Sequence, residues 1–293
     1  RASRVFLLTL EINKMKLYRT REGAGNAAVD VKNQLTATGS RTAPGPLLVP
    51  GNAKFITAAF VSCVSSNESA TQGGYLIRLE GPGVNRGVFN FAAGADGGAV
   101  ATGGTVLEPS TRVPINIACN PGQEVIIFAE SLGNDIGTYQ YSVTLEFSDV
   151  VGPEGEAKGE ITVEGDITAV DTLTRLTAQG SVTAPSRLTP PDATKLTRLV
   201  YAIGHDSAAD GEVTFMLVIG GDAVKGGEQI ITLGGGSFID VQSGSDAGRN
   251  YMRAVVLEDL DIEINPNETL DISAEMAGVD VGSATVVVTT VFA

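Results

Sequence analysis

The sequence predicts an all-β protein built from two tandem β-sandwich (jelly-roll-like) domains, the products of an internal duplication, behind an extended N-terminal arm. Three observations predict it. First, one stretch occurs twice: residues 28–54 (AVDVKNQLTATGSRTAPGPLLVPGNAK) and 169–195 (AVDTLTRLTAQGSVTAPSRLTPPDATK) align without a gap and are identical at 14 of 27 positions. Second, the far ends of the two halves match. Residues 120–147 and 265–292 both open on Asn-Pro and close on Phe, and both contain Ala-Glu (Ala129-Glu130, Ala274-Glu275) and Gly-x-Asp-[Ile/Val]-Gly. The register shifts by four residues between the two anchors, so the second copy carries a net insertion. Each copy is roughly 125 residues, a domain rather than a solenoid repeat. Third, 36 glycines, no tryptophan and 43% apolar residues, with many Val, Ile and Thr in short runs, favour strands joined by tight turns.

In chain order, residues 1–23 read as a basic N-terminal arm, an extended segment or strand, with a short helix as the alternative. Phe6, Leu8 and Leu10 alternate along it, and Gly23 to Asn26 ends it. The first sandwich spans 24–150. Strand-like segments lie near 31–41, 53–64, 74–80, 87–92, 98–107, 113–118, 124–131 and 138–148, punctuated by Ala-Pro-Gly-Pro, Gly-Pro-Gly, Asp-Gly-Gly and Asn-Pro-Gly. In the last of these, Tyr139, Tyr141, Val143, Leu145 and Phe147 share one face. Residues 151–164, acidic and glycine-containing, read as a linker. The second sandwich spans 165–293, with segments near 171–182, 194–204, 212–220, 227–233, 237–242, 249–258, 260–264, 268–276 and 283–292. Eight or so strands per repeat fit an eight-stranded jelly roll or a seven-stranded immunoglobulin-like sandwich. The strand count and the long loop near 92–106 favour the jelly roll.

Charge is unevenly spread. Residues 1–22 hold Arg1, Arg4, Lys14, Lys16, Arg19 and Arg21 against Glu11 and Glu22, a net +4, so the remaining chain carries −18 of the total −14. A basic arm on an acidic body suggests an anionic partner for the arm, and a solvated terminal strand accounts for the same residues. The acidic body argues against nucleic acid wrapping the domains. Cys63 and Cys119 lie in apolar runs without counterparts in the other copy, and read as buried free thiols. VFLLTLEI is short, broken by Glu11 and followed by no small-residue cleavage site, so it does not read as a signal peptide.

The motifs of chemistry are weak. The single histidine, His205, reads as a loop or surface residue. No Gly-x-Ser-x-Gly elbow accompanies it, and one His with two separated Cys cannot readily build a zinc site. GPGVNRG and GGDAVKGG are not phosphate loops and read as hairpin turns. Alternation puts Asp259, Asp261 and Glu263 on one strand face, where calcium is conceivable, although a solvated outer face with Leu260, Ile262 and Ile264 inward explains them too. Asp135 and Asp280, in the repeated Gly-x-Asp-x-Gly, are further calcium candidates, and aspartates bonding their own turns explain them equally. No catalytic residue and no cofactor is expected, and the chain reads as a building block rather than an enzyme.

Two successive β-rich repeats of jelly-roll size behind an arm resemble the double jelly-roll major capsid proteins of tailless icosahedral viruses. The likeness covers residues 24–293 in architecture and includes no diagnostic motif. It implies a homo-oligomer, a pseudo-hexameric trimer within a larger lattice in the virion. It also implies partner capsid proteins and no small-molecule substrate. Terminal segments face the interior in that family, so it implies that Arg1, Arg4, Lys14, Lys16, Arg19 and Arg21 face a membrane or genome. The two rolls of such proteins usually look dissimilar, whereas these copies stay half identical locally; either the duplication is recent or both copies keep a common contact. The alternative readings are an extracellular filament or surface-layer subunit that polymerises through its arm, and a tandem carbohydrate-binding module. The absence of tryptophan and the presence of only six tyrosines disfavour the last.

Overall fold

The computed structural model describes residues 16–25, 30–38, 44–65, 73–96, 110–133, 139–182, 184–206, 211–238, 252–278 and 282–293. Among them there is no helix. The first half holds β1 (Lys16–Gly25), β2 (Asn33–Gln34), β3 (Phe55–Ser65), β4 (Gly73–Glu80), β5 (Val88–Asp96), β6 (Thr111–Ala118), β7 (Ile126–Gly133) and β8 (Tyr139–Ser148). The second holds β9 (Gly159–Ile167), β10 (Thr174–Arg175), β11 (Lys195–Asp206), β12 (Gly211–Gly220), β13 (Gln229–Phe238), β14 (Met252–Arg253), β15 (Val255–Leu257), β16 (Ile262–Glu263), β17 (Asp271–Gly278) and β18 (Ser283–Phe292).

Four antiparallel sheets result. Sheet I runs β1-β8-β3-β6, and sheet II runs β2-β7-β4-β5 with β14 added at the β5 edge. Sheet III runs β9-β18-β11-β15, with β16 also on β11, and sheet IV runs β10-β17-β12-β13. With β14, which joins sheet II, set aside and β15 and β16 taken as one interrupted strand on β11, each half orders its strands 1-8-3-6 in one sheet and 2-7-4-5 in the other. That is the eight-stranded jelly roll, and it decides against the immunoglobulin-like alternative.

The first strand of each roll lies where the sequence suggested an arm and a linker. β1 pairs with β8 from Lys16↔Ser148 to Gly25↔Tyr139, and β9 pairs with β18 from Gly159↔Phe292 to Ile167↔Ala284. Both are edge strands rich in charge, which the sequence does not assign to either roll. Their equivalence is close: a Cβ on Gly23 would lie 3.1 Å from Leu35 Cδ2, and one on Gly165 would lie 3.1 Å from Leu176 Cδ2. The repeated Asp30 and Asp171 both take the left-handed conformation, at φ 59 and 51. The gapless alignment is one residue off at its end. Leu48 bridges Glu124 and Leu188 bridges Thr269, so Leu48 matches Leu188, and the turn at Pro50 matches the one at Pro190 rather than Pro191.

The first roll closes over Ile56, Val61, Val143, Leu145 and Phe147 from sheet I and Tyr75, Ile77, Leu79, Phe91 and Ile127 from sheet II. Tyr75 meets Tyr141 edge-on at 6.1 Å. The second roll closes over Leu196, Tyr201, Phe215, Leu217, Ile272, Met276, Val286, Val288 and Phe292. The outer side of sheet II lies on the outer side of sheet III. Val200, Val287 and Val291, which belong to the second roll, are part of the first roll's apolar cluster. β4 and β18 are therefore covered on both faces. A Cβ on Gly74 of β4 would fall 2.3 Å from Val287 Cγ2 of β18, so only glycine lets the two sheets approach. Gly74→Val is expected to cost about 1–3 kcal/mol in urea unfolding through overpacking, and Val287→Ala in the same chain should recover part of it.

Candidate interaction surface

The contact between the rolls is built on a threonine pair. Thr162 of β9 and Thr289 of β18 lie opposite each other with their hydroxyls 2.9 Å apart. β5 carries a bulge, its register with β4 shifting between Tyr75 and Leu76. Next to it, Ala92 N donates to Thr289 Oγ1 at 3.0 Å. One turn of the pleat away, Asn90 donates from both its backbone N and its Nδ2 to Glu160 Oε1, each at 3.0 Å. The β9–β18 pair, which presents Glu160, Thr162 and Thr289 beside Val287 and Val291, thus sits on a bulged partner strand and accepts hydrogen bonds from it across the seam.

A second polar cluster joins the rolls. Glu130 of β7 is fully buried. Its Oε1 lies 3.0 Å from Arg78 Nη2, and its Oε2 accepts from Ser181 N at 2.9 Å. Gly180 N donates to Glu164 Oε1 at 2.9 Å. Gly180 has φ 50, and a Cβ there would stand 2.3 Å from Glu130 Oε2. So the Ala-Glu of one roll meets the Gly-Ser of the next, and both are among the segments the sequence repeats. Burial pushes the Glu164 carboxyl up to about 7, with Asp30, Asp166 and Glu130 adding to the effect against the hydrogen bond from Gly180. Burial also pushes Glu160 up to about 7, against its bonds from Asn90. Elsewhere, Arg198, 2% exposed, donates to Ile115 O at 3.3 Å, and Arg86 pairs with Asp192 at 2.7 Å.

Two sheet faces remain outside this contact. On sheet I the threonine pair recurs: Thr20 and Thr144 are opposite on β1 and β8, their hydroxyls 2.8 Å apart. Beside it Tyr18, 48% exposed, packs on Phe60 with ring centres 6.2 Å apart. Glu146 accepts from Thr57 at 2.7 Å, Tyr18 at 3.0 Å and Lys16 at 3.1 Å. Burial opposes the Glu146 charge, but these bonds outweigh it and hold the carboxyl below its usual range. On sheet IV, β13 repeats the bulge of β5, its register with β12 shifting between Phe215 and Met216. Ile230 there is 64% exposed.

The residues singled out from the sequence fall as follows. Lys16, Arg19 and Arg21 belong to β1 rather than to a free arm. Lys16 pairs with Glu146, whereas Arg21 donates to Thr38 Oγ1 and Gly45 O beside a cavity of about 220 Å³. Arg1, Arg4, Lys14, Asp135 and Asp280 lie outside the described residues, as does the expected segment 98–107. The structure does not place Asp259, Asp261 and Glu263 on one long strand face. Asp259 is in a left-handed turn at φ 61, β16 is only two residues long, and Asp261, 74% exposed, pairs with Lys195 at 2.5 Å. Among the described residues no three His, Cys, Asp or Glu side chains group so as to hold a metal ion. His205 is no surface residue: it is 2% exposed in β11 and lies edge-on to Phe215 at 5.7 Å. A histidine followed by Asp looked like a loop, but its strand is covered on both faces. Cys63 and Cys119 are both buried, and burial pushes the Cys119 thiol up to about 12. The roll-to-roll contact itself was not found from the sequence. Its signal was there in the repeated Leu-Thr-Ala-x-Gly-Ser and Ala-Glu.

Fold and surface together define a class: two jelly rolls in one chain, stacked through unlike sheets. Among solved structures the chain is similar to the major capsid protein P2 of bacteriophage PM2, at 8% identity and TM-score 0.32 over 95% of this chain and 98% of that one. It is similar to the cryo-EM structure of Broad Bean Stain Virus, at 12% identity and TM-score 0.32 over 99% and 95%. It is also similar to the PBSX exported protein XepA, at 10% identity and TM-score 0.25 over 92% and 86%. No protein family and no curated protein matches the chain.

Proposed function

We propose that this chain is a self-assembling structural subunit, a viral major capsid protein that forms pseudo-hexameric trimers within a shell. The observation that carries the reading is the head-to-tail stacking of two rolls with one strand order. Sheet II of the first roll packs on sheet III of the second, which leaves sheet I at one end of the stack and sheet IV at the other. A contact between unlike faces closes into a ring if the rotation per step allows it and grows into a filament if it does not. Three two-roll chains supply six similar lateral units, enough for a hexagonal tile. The shared strand order and the repeated segments support descent of both rolls from one copied ancestor, with rolls at 16–148 and 159–293. In this reading Arg1, Arg4 and Lys14 face the shell interior, towards membrane or genome, and the subunit resides in the virion alongside other capsid proteins.

Analytical ultracentrifugation and electron microscopy of the purified chain should show trimers, six-lobed in projection, and larger shells or sheets. Open filaments built by the same contact would replace the capsid reading with a filament subunit. A monomer at every soluble concentration would end both.

A further inference from the structure

Resting on the self-assembly reading, we propose where two copies meet: the sheet I face around Tyr18, Thr20 and Thr144 of one copy docks on the sheet IV face around Ile230, Thr232 and Glu275 of another, repeating between chains the contact already made within one. The occupant is a second copy of this chain because each face corresponds, position for position, to one half of the in-chain contact.

Strand registers fix the equivalences. Thr20↔Thr144 on sheet I corresponds to Thr162↔Thr289 on sheet III, and the two hydroxyl pairs differ by 0.1 Å (2.8 and 2.9 Å). Arg78↔Asn90 and Leu76↔Ala92 on sheet II correspond to Val218↔Ile230 and Met216↔Thr232 on sheet IV, each beside a bulge on the same side. Leu76↔Glu130 corresponds to Met216↔Glu275. Within the chain, Thr289 receives the Ala92 N–H and Glu160 receives Asn90. Between chains, the same superposition sets Thr144 against Thr232 and Tyr18 against Ile230. The second pairing carries weight. Where the in-chain contact has a polar pair, Asn90 with Glu160, the two free faces offer an apolar pair, and both members are exposed, Tyr18 at 48% and Ile230 at 64%. Both sides of one contact have changed character together.

Retention of the repeated residues points the same way. Among the described residues, it is the first roll's glutamate, Glu130, that meets the second roll's Gly180-Ser181 within one chain. Among the described residues Glu275 meets no Gly-Ser pair, and it stays partly exposed on sheet IV. The sequence repeats Gly-Ser as Gly39-Ser40, outside the described residues. The polar outward residues of β8 (Gln140, Ser142, Thr144, Glu146) against the valines of β18 suit a contact made by separately soluble chains, since separable interfaces are more polar than permanent ones.

The test combines disruption with trapping. Ile230→Arg and Thr144→Arg are each expected to weaken self-association at least about 100-fold in sedimentation while the urea midpoint of the monomer stays unchanged; Thr144→Ser should associate as the parent does. Thr144→Cys with Thr232→Cys should give disulfide-linked oligomers on non-reducing gels, whereas either cysteine alone should not. If the parent assembles and both arginine variants assemble equally well, or the double-cysteine chain is never linked, this interface is wrong and the self-assembly reading stands. If the parent is a monomer throughout, both fall.

Discussion

Glu130→Ala is expected to cost about 3–5 kcal/mol of stability, because it strands a buried guanidinium. Arg78 is 8% exposed at its side chain; without Glu130 at 3.0 Å, its remaining ion pair among the described residues is Glu80, at 3.8 Å from Nε. Ser181 N loses its acceptor at the same time. Since Ser181 belongs to the second roll, the loss falls on the seam as well as on the first roll. Urea unfolding should become biphasic, one roll melting before the other. Glu130→Gln keeps an acceptor for Ser181 and a partner of similar shape, and should lose clearly less. Equal losses for the two variants, or a loss below about 1 kcal/mol for alanine, would show that the ion pair is not what holds this corner.

Stability should fall as pH rises from about 5 to 8. Glu164 and Glu160 each titrate at about 7 in the folded chain against an ordinary 4.5. The folded state therefore holds protons that the unfolded chain has already released. Their contribution is fully present below about 4.5 and is lost as pH climbs through 7; for Glu164, 6% exposed, the swing is on the order of 3 kcal/mol. Asp30, raised first by burial and then by Glu130, adds in the same sense. Glu146 has the opposite sign: its carboxyl is held low, and its contribution is lost only as pH falls through that depressed value. The optimum should then sit in the mildly acidic range. Urea midpoints measured across that range check it, and Glu164→Gln, which keeps the acceptor for Gly180 N, should flatten the slope. A midpoint that rises with pH would contradict the buried placement of these carboxylates.

The seam also explains what could be read in advance. β8 alternates cleanly, with Tyr141, Val143, Leu145 and Phe147 inward and Gln140, Ser142, Thr144 and Glu146 outward, because within one chain only one of its faces is covered. β18, its counterpart, reads SATVVVTTVF and shows no alternation, because both faces are buried. Most of β9 lies in the expected linker, 151–164, whose acids Glu154, Glu156, Glu160 and Glu164 read as solvated. Burial, not sequence, turned two of them into seam residues. The sequence allows a strand at β1, but not its place at the edge of the first roll: an edge strand has room for charge, and Lys16 finds Glu146 only across the sheet.

From its sequence alone this protein determined its strand content, its turns and the repetition of one unit, since period-two patterning and Gly/Pro punctuation are local properties of the chain. Only the tertiary structure decided where each roll begins, which sheet of one lies on which sheet of the other, and what Glu130, Gly180 and Ser181 are for. Those depend on residues 50 to 200 positions apart meeting across a face, and no local pattern records which face a distant strand will cover.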